Sequence, residues 1–254
     1  MDQAKGRRKR RGVSDRGLKI VGLALLLTSM VSTGVVLKDM PPDLEQLGFA
    51  RLTVAMVLEA LSWAAIPIYA WLVCTGFAHT RSAPRYALRL AGLAVIAEVP
   101  YDLATSGALW DMSSQNPVFA VLTSLLVLML GQSATRSQAL SRAARGGLWA
   151  ALAIAGALWL TLFNIGLRLG VLPTGVLVLA FTLLFQLLAK RQNTMMFAGA
   201  LIGVLGGITT AFGFVFLHFR NDRLGMDRGR DKYIFYALYP LCLAAAAVYR
   251  TWPA

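Results

Sequence analysis

Apolar residues occur along the chain in long segments, which short polar or charged stretches separate. Most of these segments approach the length of about 20 residues that an α-helix needs to cross membrane hydrocarbon. The pattern therefore predicts an all-α, polytopic bundle of about eight transmembrane helices with both termini in the cytoplasm. The predicted spans cover approximately residues 18–37, 49–77, 86–105, 117–132, 146–165, 171–189, 195–219 and 232–250.

The composition agrees with a membrane protein and excludes most soluble classes. Hydrophobic residues make up 57% of the 254 residues and charged residues only 15%, and a soluble domain of this size needs a largely polar surface. We therefore expect the lipid bilayer as a partner. The formal net charge is +13, but the basic residues fall between apolar segments, so nucleic acid is not an expected partner.

The N-terminal residues 1–17 are polar and strongly basic. They predict a cytoplasmic tail, followed by a single transmembrane domain over residues 18–254. Cytoplasmic loops of membrane proteins are enriched in Lys and Arg, and the predicted spans place most basic residues in the cytoplasm. The exception is the loop 220–232, which this arrangement places outside.

Two glutamates, Glu59 and Glu98, lie inside apolar segments. An acidic side chain at membrane depth costs about 2.5–3.5 kcal/mol on insertion scales unless it is paired or hydrated. One interpretation is that the acids pair with Arg51, Arg89 or Arg168 and lock helices together. The other is a polar cavity lined by Glu59, Glu98, Asp102, Gln115 and Asn116.

A histidine and a short basic turn follow the second predicted span. His79 is either an interfacial residue or a base or ligand for a phosphate-bearing donor. Arg81 follows it two residues later, and Arg81, Arg85 and Arg89 are spaced four residues apart. Cys74 and Cys242 lie in apolar segments without a CxxC spacing, so we expect neither a disulfide nor a metal site.

Several short motifs resemble those of one known family. They are Pro67, Gly76-Phe77 with Thr80-Arg81, Tyr86 with Arg89-Leu90, Glu98-x-Pro100-Tyr101-Asp102, Gln115-Asn116 with Phe119, and Phe235-Tyr236 with Tyr239-Pro240. In this order they resemble the TraX family, the pilin N-acetylases of bacterial conjugation systems and their chromosomal relatives. The resemblance implies a multi-pass protein of the bacterial cytoplasmic membrane, acetyl-coenzyme A as a transient donor, and a pilin or envelope acceptor.

The chain departs from the family pattern at the histidines. The family's Asp-His pair in the first span corresponds to Ser29 and Met30, and its histidine near the C-terminus corresponds to Cys242. Histidine is the usual general base for acyl transfer because its pKa lies near working pH. Methionine cannot take a proton, and a thiol in apolar surroundings stays protonated.

Two hypotheses of function follow. In the first, the chain keeps the family scaffold without catalysis, as an accessory subunit of a larger membrane complex or as a lipid- or donor-binding module. In the second, it is an acyltransferase with Glu98, Asp102 or His79 as catalytic groups. Its binding residues would be Glu59, Arg81, Arg85, Arg89, Gln115 and Asn116, with the arginines holding the donor phosphates. A transporter is a weaker third reading, because no internal repeat is evident.

Overall fold

The computed structural model describes residues 12–38, 48–136, 139–168, 170, 172–221, 223–225 and 231–252. Within them the chain is almost entirely helical, which confirms the all-α prediction. The helices are α1 (Asp15–Val31, continued by a π-helical turn, Ser32–Val36), α2 (Phe49–Ser62), α3 (Ala65–His79), α4 (Ala83–Thr105), α5 (Val118–Arg136), α6 (Arg142–Leu162), α7 (Thr174–Leu187), α8 (Gln192–Leu205), α9 (Ile208–His218) and α10 (Asp231–Thr251). A short antiparallel pair, β1 (Leu167–Arg168) and β2 (Leu172–Pro173), joins α6 to α7.

The described part of the chain has five helical stretches that are long and apolar enough to cross a membrane. They are Asp15–Val36, Phe49–His79, Val118–Arg136, Arg142–Leu162 and Tyr233–Thr251. Helices α7, α8 and α9 are apolar but shorter. Many of their large side chains face outward, as lipid contact requires; Leu205 is 85% exposed and Phe197 76%. The protein is therefore a membrane protein.

The second predicted span bends at its centre. Helix α2 ends at Ser62 and α3 begins at Ala65, two residues before Pro67. Proline has no N–H to donate to the carbonyl four residues earlier, so the helix is interrupted where Pro67 would need a bond to Trp63. Helix α3 packs against α1, α7 and α9.

The seventh predicted span is wrong. Residues 195–219 form two helices, α8 and α9, that pack against each other as an antiparallel hairpin. The turn lies at Gly207, whose φ of 106° is a conformation that favours glycine. The helices approach closely because a Cβ atom at Gly203 would stand 3.0 Å from Ala211 and one at Gly199 would stand 2.2 Å from the Phe214 ring. Both ends of the hairpin therefore lie at one end of the bundle.

This hairpin also overturns the prediction that both termini lie on one side. At the start of α1, Val13 pairs with Arg220 just after α9. Beyond the other end of α1, the Lys38 ammonium donates to the Trp252 carbonyl at 2.8 Å. The two ends of the described chain thus lie at opposite ends of α1, and the loop after α9 lies beside the N-terminal segment.

Basic residues mark the end of the bundle at which α1 begins, which we call the basic end. The described Lys and Arg residues at the opposite end are Lys38, Arg51, Arg168 and Arg250. The basic end holds Arg16, Lys19, Arg81, Arg85, Arg89, Arg136, Arg142, Arg145, Lys190, Arg191, Arg220 and Arg223. The positive-inside rule assigns the basic end to the cytoplasm. Arg220 and Arg223 then lie inside, so the loop 220–232 is no longer an exception to the charge pattern.

This topology predicts the behaviour of a reporter. Alkaline phosphatase needs disulfides, which form outside the cytoplasm. Fused to the C-terminus of the full chain it should be active, whereas inserted between α7 and α8 after Arg191 it should be inactive. Phosphatase activity of intact cells, normalised to fusion protein on a blot, is the measurement. An inactive C-terminal fusion, with a green fluorescent protein fluorescent at the same position, would contradict the arrangement.

Candidate ligand-binding cavity

A cavity of about 580 Å³ enters the bundle from the basic end, between α1, α3, α4, α5 and α10. Its mouth is polar and is lined by Asp15, Lys19, His79, Arg81, Ser82, Arg85 and Arg89. Its middle is apolar, and its inner end is lined by Ser62, Tyr69, Arg168, Thr174 and Tyr239. The cavity thus joins a cationic entrance to an apolar interior that ends in a polar group of side chains.

The basic mouth follows from the turn between α3 and α4. Helix α4 begins at Ala83 with Pro84 in its first turn, where the missing N–H costs nothing. Arg85 and Arg89 are four residues apart and so lie on one face of α4. Gly76 lets the Tyr86 ring pack onto α3, since a Cβ atom there would stand 2.8 Å from the Tyr86 hydroxyl. The structure therefore brings all three predicted donor-binding arginines to one cavity.

His79 lies exposed at the mouth, away from the inner end. Its Nδ1 is 2.8 Å from the Thr75 carbonyl oxygen. A carbonyl can only accept, so Nδ1 carries the proton and the neutral ring keeps its lone pair on Nε2. The ring is therefore able to accept a hydrogen bond or a proton at the mouth.

The segment after α9 forms one border of the mouth. The sequence had predicted that the loop 220–232, to which it belongs, lies outside. The Val13 N–H donates to the Phe219 carbonyl, and the Asn221 N–H donates to the Val13 carbonyl, both at 2.9 Å. The Asp15 N–H donates to the Arg223 carbonyl at 2.8 Å. Leu224 of this loop lines the cavity. The positive charge of this loop is the sequence signal that could have placed it at the basic end.

At the inner end, Arg168 pairs with Glu59. The Arg168 Nε is 3.7 Å from the Glu59 Oε1, with 12% of the arginine side chain and 1% of the glutamate exposed. The other carboxylate oxygen of Glu59 accepts a hydrogen bond of 2.7 Å from the Ser29 hydroxyl. For Glu59, the hypothesis of a pairing with one of three arginines is confirmed. Glu59 itself does not line the cavity.

Glu98 and Asp102 hold a loop rather than a ligand. The Glu98 carboxylate accepts from the Asn116 backbone N–H at 3.3 Å and from the Asn116 side-chain amide. The Asp102 carboxylate accepts from the Asp111 N–H at 3.0 Å. Both acids are buried, and neither lines the cavity. Helix α4 continues through Pro100 to Thr105, so both acids belong to one helix.

None of Glu59, Glu98, Asp102, Gln115 and Asn116 lines this cavity. Glu59 belongs to the Arg168 pair, and the buried Asn116 donates to one oxygen of the Glu98 carboxylate. The Gln115 side chain donates to the Asp111 carbonyl at 3.1 Å. Glu59, Gln115 and Asn116, which were predicted to bind a ligand, thus make contacts with other groups of the protein.

The loop 106–117 in turn positions the segment that carries Arg168. The Gln115 N–H donates to the Asn164 carbonyl at 3.1 Å, and the Gly166 N–H donates to the Gln115 carbonyl at 2.9 Å. The Ser114 hydroxyl donates to the Leu167 carbonyl at 2.6 Å. A continuous set of hydrogen bonds therefore runs from the acids of α4 to the residue before Arg168.

The residues at which the chain departs from the motif pattern lie beside the inner end of the cavity. Ser29 and Met30 line a second, very small cavity of about 10 Å³, next to Arg168 and Tyr239. Cys242 is half-buried in a hydrophobic cluster with Met30 and Tyr239. Neither of the two histidines of the chain lines the inner end of the large cavity. Among the described residues, no group of His, Cys, Asp or Glu could hold a metal ion.

Comparison with known proteins gives one match. A family model described as TraX protein matches residues 16–250, which confirms the resemblance inferred from the motifs. Searches of curated proteins and of solved structures find no match.

The pairing of Asn116 with Glu98 predicts a loss of stability on substitution. In Asn116→Ala the Glu98 carboxylate stays buried and loses a charge-assisted hydrogen bond, so unfolding should become easier by about 1.5–3 kcal/mol. Thermal unfolding in detergent, together with protease cleavage of the loop 106–117, measures this. Asn193→Ala, the same change at an exposed position of α8, is the control and should unfold like the parent. Equal stability of the two variants would contradict the role of Asn116.

Proposed function

The chain belongs to the TraX family, and we propose that within it the chain is a non-catalytic binding module for an acyl-coenzyme A or a similar phosphate-bearing donor. It would act as an accessory subunit of a larger complex in the bacterial cytoplasmic membrane. The observation that carries this proposal is the large cavity, whose cationic mouth leads into an apolar interior.

The charges at the mouth suit the phosphates of such a donor. Arg81 and Arg85 are exposed, and Arg89 and Lys19, which also line the cavity, are half-buried. Guanidinium groups bind phosphate oxygens through paired, charge-assisted hydrogen bonds. The apolar middle, with Leu90 and other aliphatic residues, suits the uncharged arm that carries the acyl group.

The lack of an acid–base group supports binding without turnover. Ser29 and Met30 stand where the family has its Asp-His pair, and Cys242 replaces the later histidine. One oxygen of Glu98 accepts from Asn116 and one oxygen of Asp102 accepts from the Asp111 N–H, and neither acid lines the cavity. The inner end of the cavity, lined by Arg168 and neutral hydroxyl side chains, offers no base with a pKa near 7.

A second candidate is an acyltransferase that uses His79. The bond from Nδ1–H to the Thr75 carbonyl leaves Nε2 as a proton acceptor, which is the arrangement that a general base needs. The acceptor, a protein N-terminus such as that of a pilin or an envelope glycan or lipid, would then have to reach the mouth of the cavity.

Donor binding tests the proposal directly. In Arg85→Ala the affinity for acetyl-coenzyme A should fall about 10- to 100-fold, because one set of charge-assisted hydrogen bonds to phosphate is lost. Isothermal titration of the protein in nanodiscs gives the dissociation constants. Arg142→Ala removes an exposed arginine at the same end that does not line the cavity, and it should bind like the parent. A parent protein that does not bind the donor would refute the proposal.

Turnover separates the two candidates. The purified parent is given acetyl-coenzyme A and peptide or amine acceptors. It should release free coenzyme A no faster than the same mixture without the protein. Release that His79→Gln abolishes while donor binding persists would instead establish the acyltransferase.

A further inference from the structure

The Arg168 guanidinium has more hydrogen-bond donors than the described structure satisfies. Its Nε faces the Glu59 carboxylate at 3.7 Å, and its terminal carbon lies 5.7 Å from the centre of the Tyr101 ring. A guanidinium has five N–H donors in a planar fork. Within the described residues, no hydrogen bond is made by either terminal nitrogen, and the side chain lines the large cavity.

An arginine in this state favours an anionic ligand. A charge that is largely withdrawn from water needs a close partner, and the Arg168 side chain is only 12% exposed. Glu59 supplies only a long, single-atom contact, since its other oxygen accepts from Ser29. A carboxylate that entered the cavity would meet the free side of the fork, which matches its two oxygens in geometry.

The neighbours of Arg168 add no competing negative charge. The inner end of the cavity contributes the phenols of Tyr69 and Tyr239 and the hydroxyls of Ser62 and Thr174. These groups are neutral near pH 7. Among the residues that the structure describes, the acidic group paired with Arg168 is Glu59, at 3.7 Å.

The cationic groups of the mouth and of the inner end are well separated. Arg89 lines the mouth, and Tyr101, which contacts Arg168, lies twelve residues further along α4. At a rise of 1.5 Å per residue these positions are roughly 18 Å apart. Apolar side chains such as Leu90 and Leu93 line the wall between them. The cavity is therefore cationic at both ends and apolar between.

We infer that the ligand carries an anionic group at each end, with phosphates at the mouth and a carboxylate on the acyl group at Arg168. The ligand class is a dicarboxylic acyl thioester of a phosphate-bearing carrier, of which succinyl-coenzyme A is the simplest probe. This inference rests on the proposed function, because it takes the mouth as the phosphate site.

Two acyl chains of equal length test the carboxylate. Succinyl- and butyryl-coenzyme A both carry four-carbon acyl groups and differ in a terminal carboxylate against a methyl group. The parent in nanodiscs should bind the succinyl thioester about 10- to 100-fold more tightly than the butyryl one. In Arg168→Gln this preference should disappear, while affinity for free coenzyme A stays within about twofold of the parent. Arg168→Lys, which keeps the charge but loses the fork, should retain part of the preference.

The outcomes separate the two proposals. If all the thioesters and free coenzyme A bind the parent but succinyl and butyryl forms bind equally, the carboxylate site is refuted and the donor cavity stands. If none of them binds, both are refuted. The preference for the succinyl thioester is measured first on the parent. If Arg168→Gln does not fold, the parent's preference and its partial loss in Arg168→Lys test the site. A preference that persists undiminished in Arg168→Gln also refutes the site.

Discussion

The cost of burying a guanidinium within a membrane protein is the constraint on which the central structure depends. Arg168 reaches the interior from the connection between α6 and α7, and Glu59 of α2 is its ionic partner. Ser29 of α1 orients that carboxylate, and Tyr101 of α4 lies beside the guanidinium. Removal of one member of such a buried pair leaves an uncompensated charge. Three helices and one loop are therefore fixed around a single cation.

The acids of α4 acquire a role within the same arrangement. Glu98 and Asp102 belong to the motif that carries the family resemblance, and acids in a membrane segment usually suggest chemistry. Here they bind Asn116 and the Asp111 N–H, and the loop they hold supports the backbone at Gly166. They contact the loop that supports the segment carrying Arg168, and they do not line the cavity themselves.

Hydropathy predicted most of the helices because lipid contact requires apolar side chains, and the three arginines grouped as donor-binding candidates all line one cavity. The sequence also named Arg168 among three partners for Glu59. It could not reveal the turn at Gly207, because a glycine inside an apolar run reads equally well as a packed helix position or as a break. That one turn decides on which side the following loop and the C-terminus lie, so the topology was wrong although the apolar segments were right.

The replacement at Ser29 has an electrostatic consequence at the inner end of the cavity. The family resemblance implies an aspartate at this position, which would stand next to Glu59 and add a second carboxylate near Arg168. Ser29 instead donates its hydroxyl to the Glu59 carboxylate, so the site holds one acidic group fewer. The same substitution that removes the orienting group for a catalytic histidine thus leaves Arg168 with capacity for an anion from outside the protein. Under the two proposals, the absence of turnover and the anion site at Arg168 would both follow from this one change in charge.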